Sequence, residues 1–198
     1  MKNNRIISVL FVASLVGCRN SDSADPITDK KHLSDGTITK IDDQVIDESG
    51  DDYFNIEYPE GLRKYSDVEA ATKYPSANRP QIVYGTDDFS VTVGISLNIE
   101  EIGQDDLPKY VNSMKAGLQN NVANFDWISN EIWKVNGHDA YLLRFTSPSP
   151  DGKIYNLICC FSHNDKLAML TFNCLNAQRE EWIKDFEESI KSIYFEKV

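Results

Sequence analysis

The side chains in this 198-residue chain whose types could do chemistry are three histidines, four cysteines and several doublets of carboxylates. His138 stands next to Asp139, the composition of a His–Asp dyad. A general base, however, needs a nucleophile or substrate within hydrogen-bond reach, which proximity in sequence does not supply. His138 also directly follows Asn136-Gly137, the strongest hairpin signal in the chain, so it is read as a turn residue. His163 belongs to a His163-Asn164-Asp165 turn, and His32 lies in a polar N-terminal stretch. Cys159 and Cys160 are flanked by Ile158 and Phe161, with nothing nearby to lower a thiol pKa. No cysteine or histidine pair has zinc-ligand spacing, and no phosphate-binding glycine loop or Gly-x-Ser-x-Gly elbow occurs. Asp87-Asp88, Glu100-Glu101 and Asp105-Asp106 flank strand and helix ends, where solvated or capping roles suffice. Two such doublets brought together by the fold could bind calcium weakly. The sequence thus offers no catalytic residue, no metal ligand and no cofactor, and it leaves the ligand-binding residues unidentified.

Cys18 is different, because its context prescribes a reaction. Lys2 and Arg5 form a positive start, Ile6 to Val16 is an apolar run, and the run ends in Leu15-Val16-Gly17-Cys18. The run is too short to span a bilayer, which takes about 20 apolar residues. The ending resembles the bacterial lipoprotein processing box, in which the cysteine thiol receives a diacylglyceryl group. Residues 1–17 are therefore expected to be a signal peptide and Cys18 the lipidated first residue of the mature chain. Cleavage removes Lys2 and Arg5 and moves the formal charge from −11 to −13. So acidic a chain, without clustered Lys and Arg, excludes nucleic acid as a partner and does not attach electrostatically to anionic lipid. Membrane contact is expected through the acyl chains on Cys18, with the protein in the bacterial cell envelope, on the outer membrane facing periplasm or surface.

Residues 18–52 are polar and acidic and read as a tether with a root-mean-square span on the order of 30–35 Å. Within it Gln44-Val-Ile46 and Thr37-Ile-Thr-Lys-Ile41 are marginal strand candidates. The folded domain is expected over 53–198. Tyr53 to Tyr58 alternates and stops at Pro59-Glu60-Gly61, and residues 62–79 read as a long loop with one helical turn near Val68 to Thr72. Gln81 to Tyr84 and Phe89 to Ile99 are strands; in the second, Phe89, Val91, Val93, Ile95, Leu97 and Ile99 share one face. Its other face, of Ser, Thr and Gly, is free for water or a partner.

A helix capped by Asp105 or Asp106 carries the stripe Leu107, Tyr110, Val111, Met114 and Leu118 up to Asn120-Asn121. Four strands follow: Phe125 to Val135, Ala140 to Phe145, and two around His163-Asn164-Asp165. Centring the last hairpin on Asn164-Asp165 sets Cys160 opposite Met169, Cys159 opposite Leu170 and Cys174 opposite Tyr155. No disulfide fits that register, because adjacent cysteines point to opposite faces. The three are read as small apolar residues of a buried sheet. A final helix capped by Asn176 carries Trp182, Ile183, Phe186, Ile190 and Ile193. The predicted order is β-β-β-α-β-β-β-β-α, an α+β fold with helices packed on an antiparallel sheet.

That order, with Tyr58-Pro59-Glu60-Gly61, Asn136-Gly137 followed by Ala140-Tyr141, Asp151-Gly152-Lys153-Ile154-Tyr155 and the closing Phe186-Glu-Glu-Ser-Ile-Lys-Ser-Ile193, resembles the PsbP-like superfamily and its bacterial lipoprotein branch related to DcrB. The resemblance implies an α/β/α sandwich with a twisted antiparallel sheet. It also implies a binding or assembly module, as in extrinsic photosystem subunits, a Ran-binding transport factor and toxin chaperones. This chain departs in having Leu62 where relatives often place Trp, and in its long 62–79 segment. The superfamily shares no residue-level functional motif, so no site residue carries over. Two functions remain: a non-catalytic interaction module for an envelope protein, or a carrier of a small apolar ligand between sheet and helix. A filled core with an exposed apolar patch favours the first, and an unfilled apolar cavity favours the second.

Overall fold

The computed structural model describes residues 44–46 and 52–195. The expected signal peptide 1–17, the lipidation site Cys18, the Thr37–Ile41 strand candidate and most of the 18–52 tether lie outside them.

The strands are β1 (Gln44–Ile46), β2 (Asp52–Asn55), β3 (Arg63–Lys64), β4 (Ile82–Gly85), β5 (Thr92–Glu101), β6 (Asp126–Val135), β7 (His138–Ser149), β8 (Gly152–His163) and β9 (Lys166–Leu175). The helices are α1 (Asp67–Lys73), α2 (Leu107–Asn121) and α3 (Arg179–Ser192). Seven strands form one antiparallel sheet in the order β3-β4-β5-β9-β8-β7-β6, and β1 pairs with β2 apart from it. The expected order is present, together with β1 at the Gln44–Ile46 strand candidate, α1 where one helical turn was expected, and the short β3.

The β6–β7 and β8–β9 hairpins form because Asn136 (φ 46°), Gly137 (φ 86°), Asn164 (φ 50°) and Asp165 (φ 59°) adopt the left-handed conformations that tight turns demand. The register around Asn164-Asp165 is the expected one, with Cys159 opposite Leu170, Cys160 opposite Met169 and Cys174 opposite Tyr155. Cys159 points to the α3 side of the sheet and Cys160 to the α2 side, and all three described cysteines are free and buried. Burial raises their pKa values, to about 12 for Cys160 and Cys174, so these thiols stay protonated.

Two layers of side chains make the sandwich. Trp182, Phe186 and Ile190 of α3 pack on Leu142, Leu157, Leu170 and Phe172, with Val93 and Ile95 extending this layer under β2. Leu107, Val111 and Leu118 of α2 pack on Leu143, Ile158 and Met169 of the opposite face. The strand read from Tyr53 to Tyr58 does not join the large sheet. Phe54, Ile56 and Tyr58 enter the α3-side core, while Asn55 exchanges backbone hydrogen bonds with Tyr194 at 2.8 and 2.9 Å.

Four expectations are corrected. The 62–79 segment is no free loop: α1 starts with a capping box in which Ser66 and Glu69 satisfy each other's backbone N–H groups. Tyr65, Ala70 and Tyr74 then pack on Val83, covering the part of the α2-side face that α2 itself does not reach. As a consequence the polar face of β5 is buried. Thr92 and Ser96 are inaccessible, and a Cβ on Gly94 would meet Pro80 at 2.7 Å. The Tyr74 hydroxyl shares a hydrogen bond with Thr92 (2.9 Å) and donates to Asn173 (3.2 Å), whose amide donates to Asn156 (2.6 Å). Phe89 leaves the β5 stripe: it lies in the preceding turn at φ 62° and packs on Tyr65 at 5.0 Å. Finally, neither long helix uses its expected side-chain cap. Asp106 does sit at the α2 N-cap, but its carboxylate turns to Lys109 at 2.8 Å, and Asn176 opens a 3-10 turn that leads into α3.

Candidate functional site

A cleft of about 250 Å³ opens at the end of the sheet where three connections meet. The β6–β7 turn supplies Gly137 and His138, the β8–β9 turn supplies Asn164 and Asp165, and the β5–α2 connection supplies Gln104. Hydrogen bonds tie these connections together: the Ile102 N–H donates to the Asp165 carbonyl (2.7 Å), Ser162 Oγ to the Ile102 carbonyl (2.5 Å), and Gln104 Nε2 to the Asp139 carbonyl (3.4 Å). Lys134 Nζ pairs with Asp139 Oδ1 at 2.7 Å.

This geometry does not assemble a His–Asp dyad. The carboxylate of Asp139 goes to Lys134, and the ring of His138 rests on Phe195 (4.4 Å) and near His163 (5.6 Å). Ser162, a hydroxyl in the cleft wall, is committed to a backbone carbonyl. The Asp87-Asp88 doublet likewise has local roles. Asp87 pairs with Arg63 at 2.5 Å. Burial works against the charge of Asp88, but hydrogen bonds from Thr86 and Ser90 outweigh it and hold that carboxyl below the usual range. Among the described residues no group of three or more His, Cys, Asp or Glu is placed to hold a metal ion.

His163 is 8% exposed and stacks on Phe195 at 4.4 Å. Burial and the neighbouring His138 lower its pKa below the ordinary 6.5. The folded state thus binds fewer protons than the unfolded state, and the neutral ring contributes stability that is present above pH 6.5 and lost as the pH falls below it. Urea midpoints measured at pH 7.5 and 5.5 should show this loss, and His163→Phe should flatten it. An unchanged slope in that variant would assign the loss to other groups.

The second feature is β6, which among the described residues is an edge strand of the sheet. Its Ile132 is 59% exposed and Ile128 37%, while Trp127 and Trp133 are half-buried on opposite faces. They lie on opposite faces because a bulge between Trp127 and Ser129 reverses the alternation. Glu131 anchors this strand inward: it accepts hydrogen bonds from Trp133 Nε1 (3.0 Å) and from buried Arg144, which also donates to Glu187 of α3 (2.9 Å). No sequence motif marked either the cleft or the edge. The cleft joins three distant turns, and edge position is a property of the sheet order.

In fold the chain is similar to the solution structure of cyanobacterial PsbP (CyanoP) from Synechocystis sp. PCC 6803. The TM-score is 0.55 at 16% identity, covering 78% of this chain and 92% of that one. It is also similar to PA94 of Pseudomonas aeruginosa, a protein of unknown function, with TM-score 0.50 and 11% identity over 73% of this chain and 92% of that one. A protein from Bacteroides thetaiotaomicron VPI-5482 matches with TM-score 0.50 and 12% identity, over 73% of this chain and 46% of that one. No family model and no curated protein matches. The fold is the PsbP-like α+β sandwich that the sequence motifs resembled.

Proposed function

We propose that this chain is a membrane-tethered, non-catalytic protein-interaction module of the cell envelope. The observation that carries the reading is the contrast between its two faces and its edge. Both sheet faces are filled by side chains from α1, α2 and α3, whereas Ile128 and Ile132 stay exposed on β6. Exposed apolar side chains on an edge strand suit protein contact. The apolar-carrier reading draws less support, since the cleft is lined by charged and polar side chains and lies at the sheet end, not between sheet and helix.

Native mass spectrometry of the protein gently purified from its own cells tests the reading. A co-purifying protein at fixed stoichiometry supports it, and an apolar small molecule released only on unfolding overturns it in favour of the carrier.

The tether is the other half of the proposal. No helix among the described residues is long and apolar enough to cross a membrane. The Lys2/Arg5 start, the short apolar run and Leu15-Val16-Gly17-Cys18 supply an acyl anchor instead. Cys18→Ser should move the protein from the membrane pellet to the soluble fraction of lysed cells. Continued sedimentation with membranes would sink the anchor.

A further inference from the structure

The seven-stranded sheet has two ends of different character. The β3 end is two residues long, and Arg63 there is held by Glu69 (2.7 Å) and Asp87 (2.5 Å). The β6 end is long. Its regular part runs from the bulge at Ile128 to the Asn136-Gly137 turn, residues 129–135. In a two-residue hairpin the flanking pair, here Val135 and His138, exchanges both backbone hydrogen bonds. Every second residue back along the strand, Trp133, Glu131 and Ser129, therefore faces β7. The N–H and C=O groups of Asn130, Ile132 and Lys134 point away from the sheet.

Those three residues are symmetric about Ile132, and we infer that β6 is the pairing edge for a second copy of this chain. The two β6 strands run antiparallel about a twofold axis at Ile132. Ile132 then lies opposite Ile132 of the other copy, and Asn130 lies opposite Lys134 twice. This register forms three hydrogen-bonded pairs, about six backbone bonds. Slipping by one pair in either direction sets Asn130 or Lys134 against the bulge or the turn and loses bonds.

The side chains agree with the backbone. On the α2 face Ile132 meets Ile132 and Lys134 meets Asn130; on the α3 face Glu131 meets Trp133 and Ser129 meets Val135. No like charges stand opposite one another. The contact is isologous and closes at two copies, because the β3 end is too short to continue the sheet head to tail. Each copy carries a formal charge of −11 before processing, so association should strengthen with added salt.

The inference rests on reading β6 as the binding edge, and it names the occupant. The test uses the full chain in mild detergent, with light scattering for mass and amide hydrogen exchange at β6. Ile132→Pro removes an N–H that β7 does not use and is tolerated on such an edge; Ile132→Lys is the second variant, should proline disturb the strand. The expected result is a dimer with slowly exchanging amides at Asn130, Ile132 and Lys134. Both variants should associate at least ~10-fold more weakly with an unchanged circular dichroism spectrum. A wild-type monomer with fast exchange at these amides overturns the inference. A dimer that survives both variants also overturns it, as when two acyl anchors share one micelle. A monomer carrying a different protein on β6 overturns it while leaving the interaction-module reading standing, whereas a chain that binds nothing through β6 removes the support for both.

Discussion

Phe186→Ala is expected to lower the unfolding free energy by about 3–5 kcal/mol. Phe186 is fully buried at the middle of α3, with its ring 5.0 Å from Phe172 and 6.1 Å from Trp182. Two terms add: the lost transfer of the ring out of water, and the cavity that remains. The cavity term stays large because its floor is stiff. Phe172 lies on β9, which is hydrogen-bonded to β5 on one side and β8 on the other, so the sheet cannot rise to fill the space. Urea unfolding followed by circular dichroism measures the change, with Val68→Ala as the control. Val68 is 76% exposed on α1, and its truncation should stay within about 0.5 kcal/mol. A Phe186→Ala change as small as the control's would mean that α3 does not clamp the sheet.

The same residues show how far the sequence could be read. The α3 stripe and the β8–β9 register were legible because each follows from a local rule. A period of 3.6 puts Trp182, Phe186 and Ile190 on one side of a helix, and Asn164-Asp165 sets a pairing that fixes every residue of the hairpin. What escaped the reading depends on distant partners. The Ser66-x-x-Glu69 capping box that starts α1 is written in the sequence, but its docking is not. The Tyr74 hydroxyl meets Asn173, 99 positions later, and the docking of this segment, Pro80 over Gly94 included, turns the polar face of β5 from surface into interior. Likewise β2 alternates as a strand should, yet its partner beyond β1 is Tyr194 at the end of the chain. The candidate sites were illegible for the same reason. Whether Ile132 is core or surface turns on β6 being last in the sheet, and the cleft on three turns converging.

Arg144 gives the second large effect, and its sign pattern is diagnostic. The side chain is 5% exposed on β7; it is paired with Glu131 of β6 and with Glu187 of α3 at 2.9 Å, and its guanidinium lies 5.5 Å over the Trp133 ring. Its partners are wetter, at 42% and 29% side-chain exposure. The three charges are therefore not equivalent. Without Arg144 the two carboxylates can turn to water, so Arg144→Met, which keeps the packing volume, should cost less than about 1.5 kcal/mol. Removing both acceptors, Glu131→Ala with Glu187→Ala, leaves a buried guanidinium with no carboxylate partner and should cost about 3–5 kcal/mol. Acid reports on the same arrangement. Burial opposes the charge of Glu131, but Trp133, Ser129 and Arg144 outweigh it and lower its pKa, so its share of stability is present above pH 4.5 and lost as the pH falls below that. Denaturant midpoints of the two variants decide the matter. If Arg144→Met proves the costlier of the two, the triad stabilises by attraction between charges and not by sparing a buried cation, and the edge strand β6 is held to α3 by that attraction.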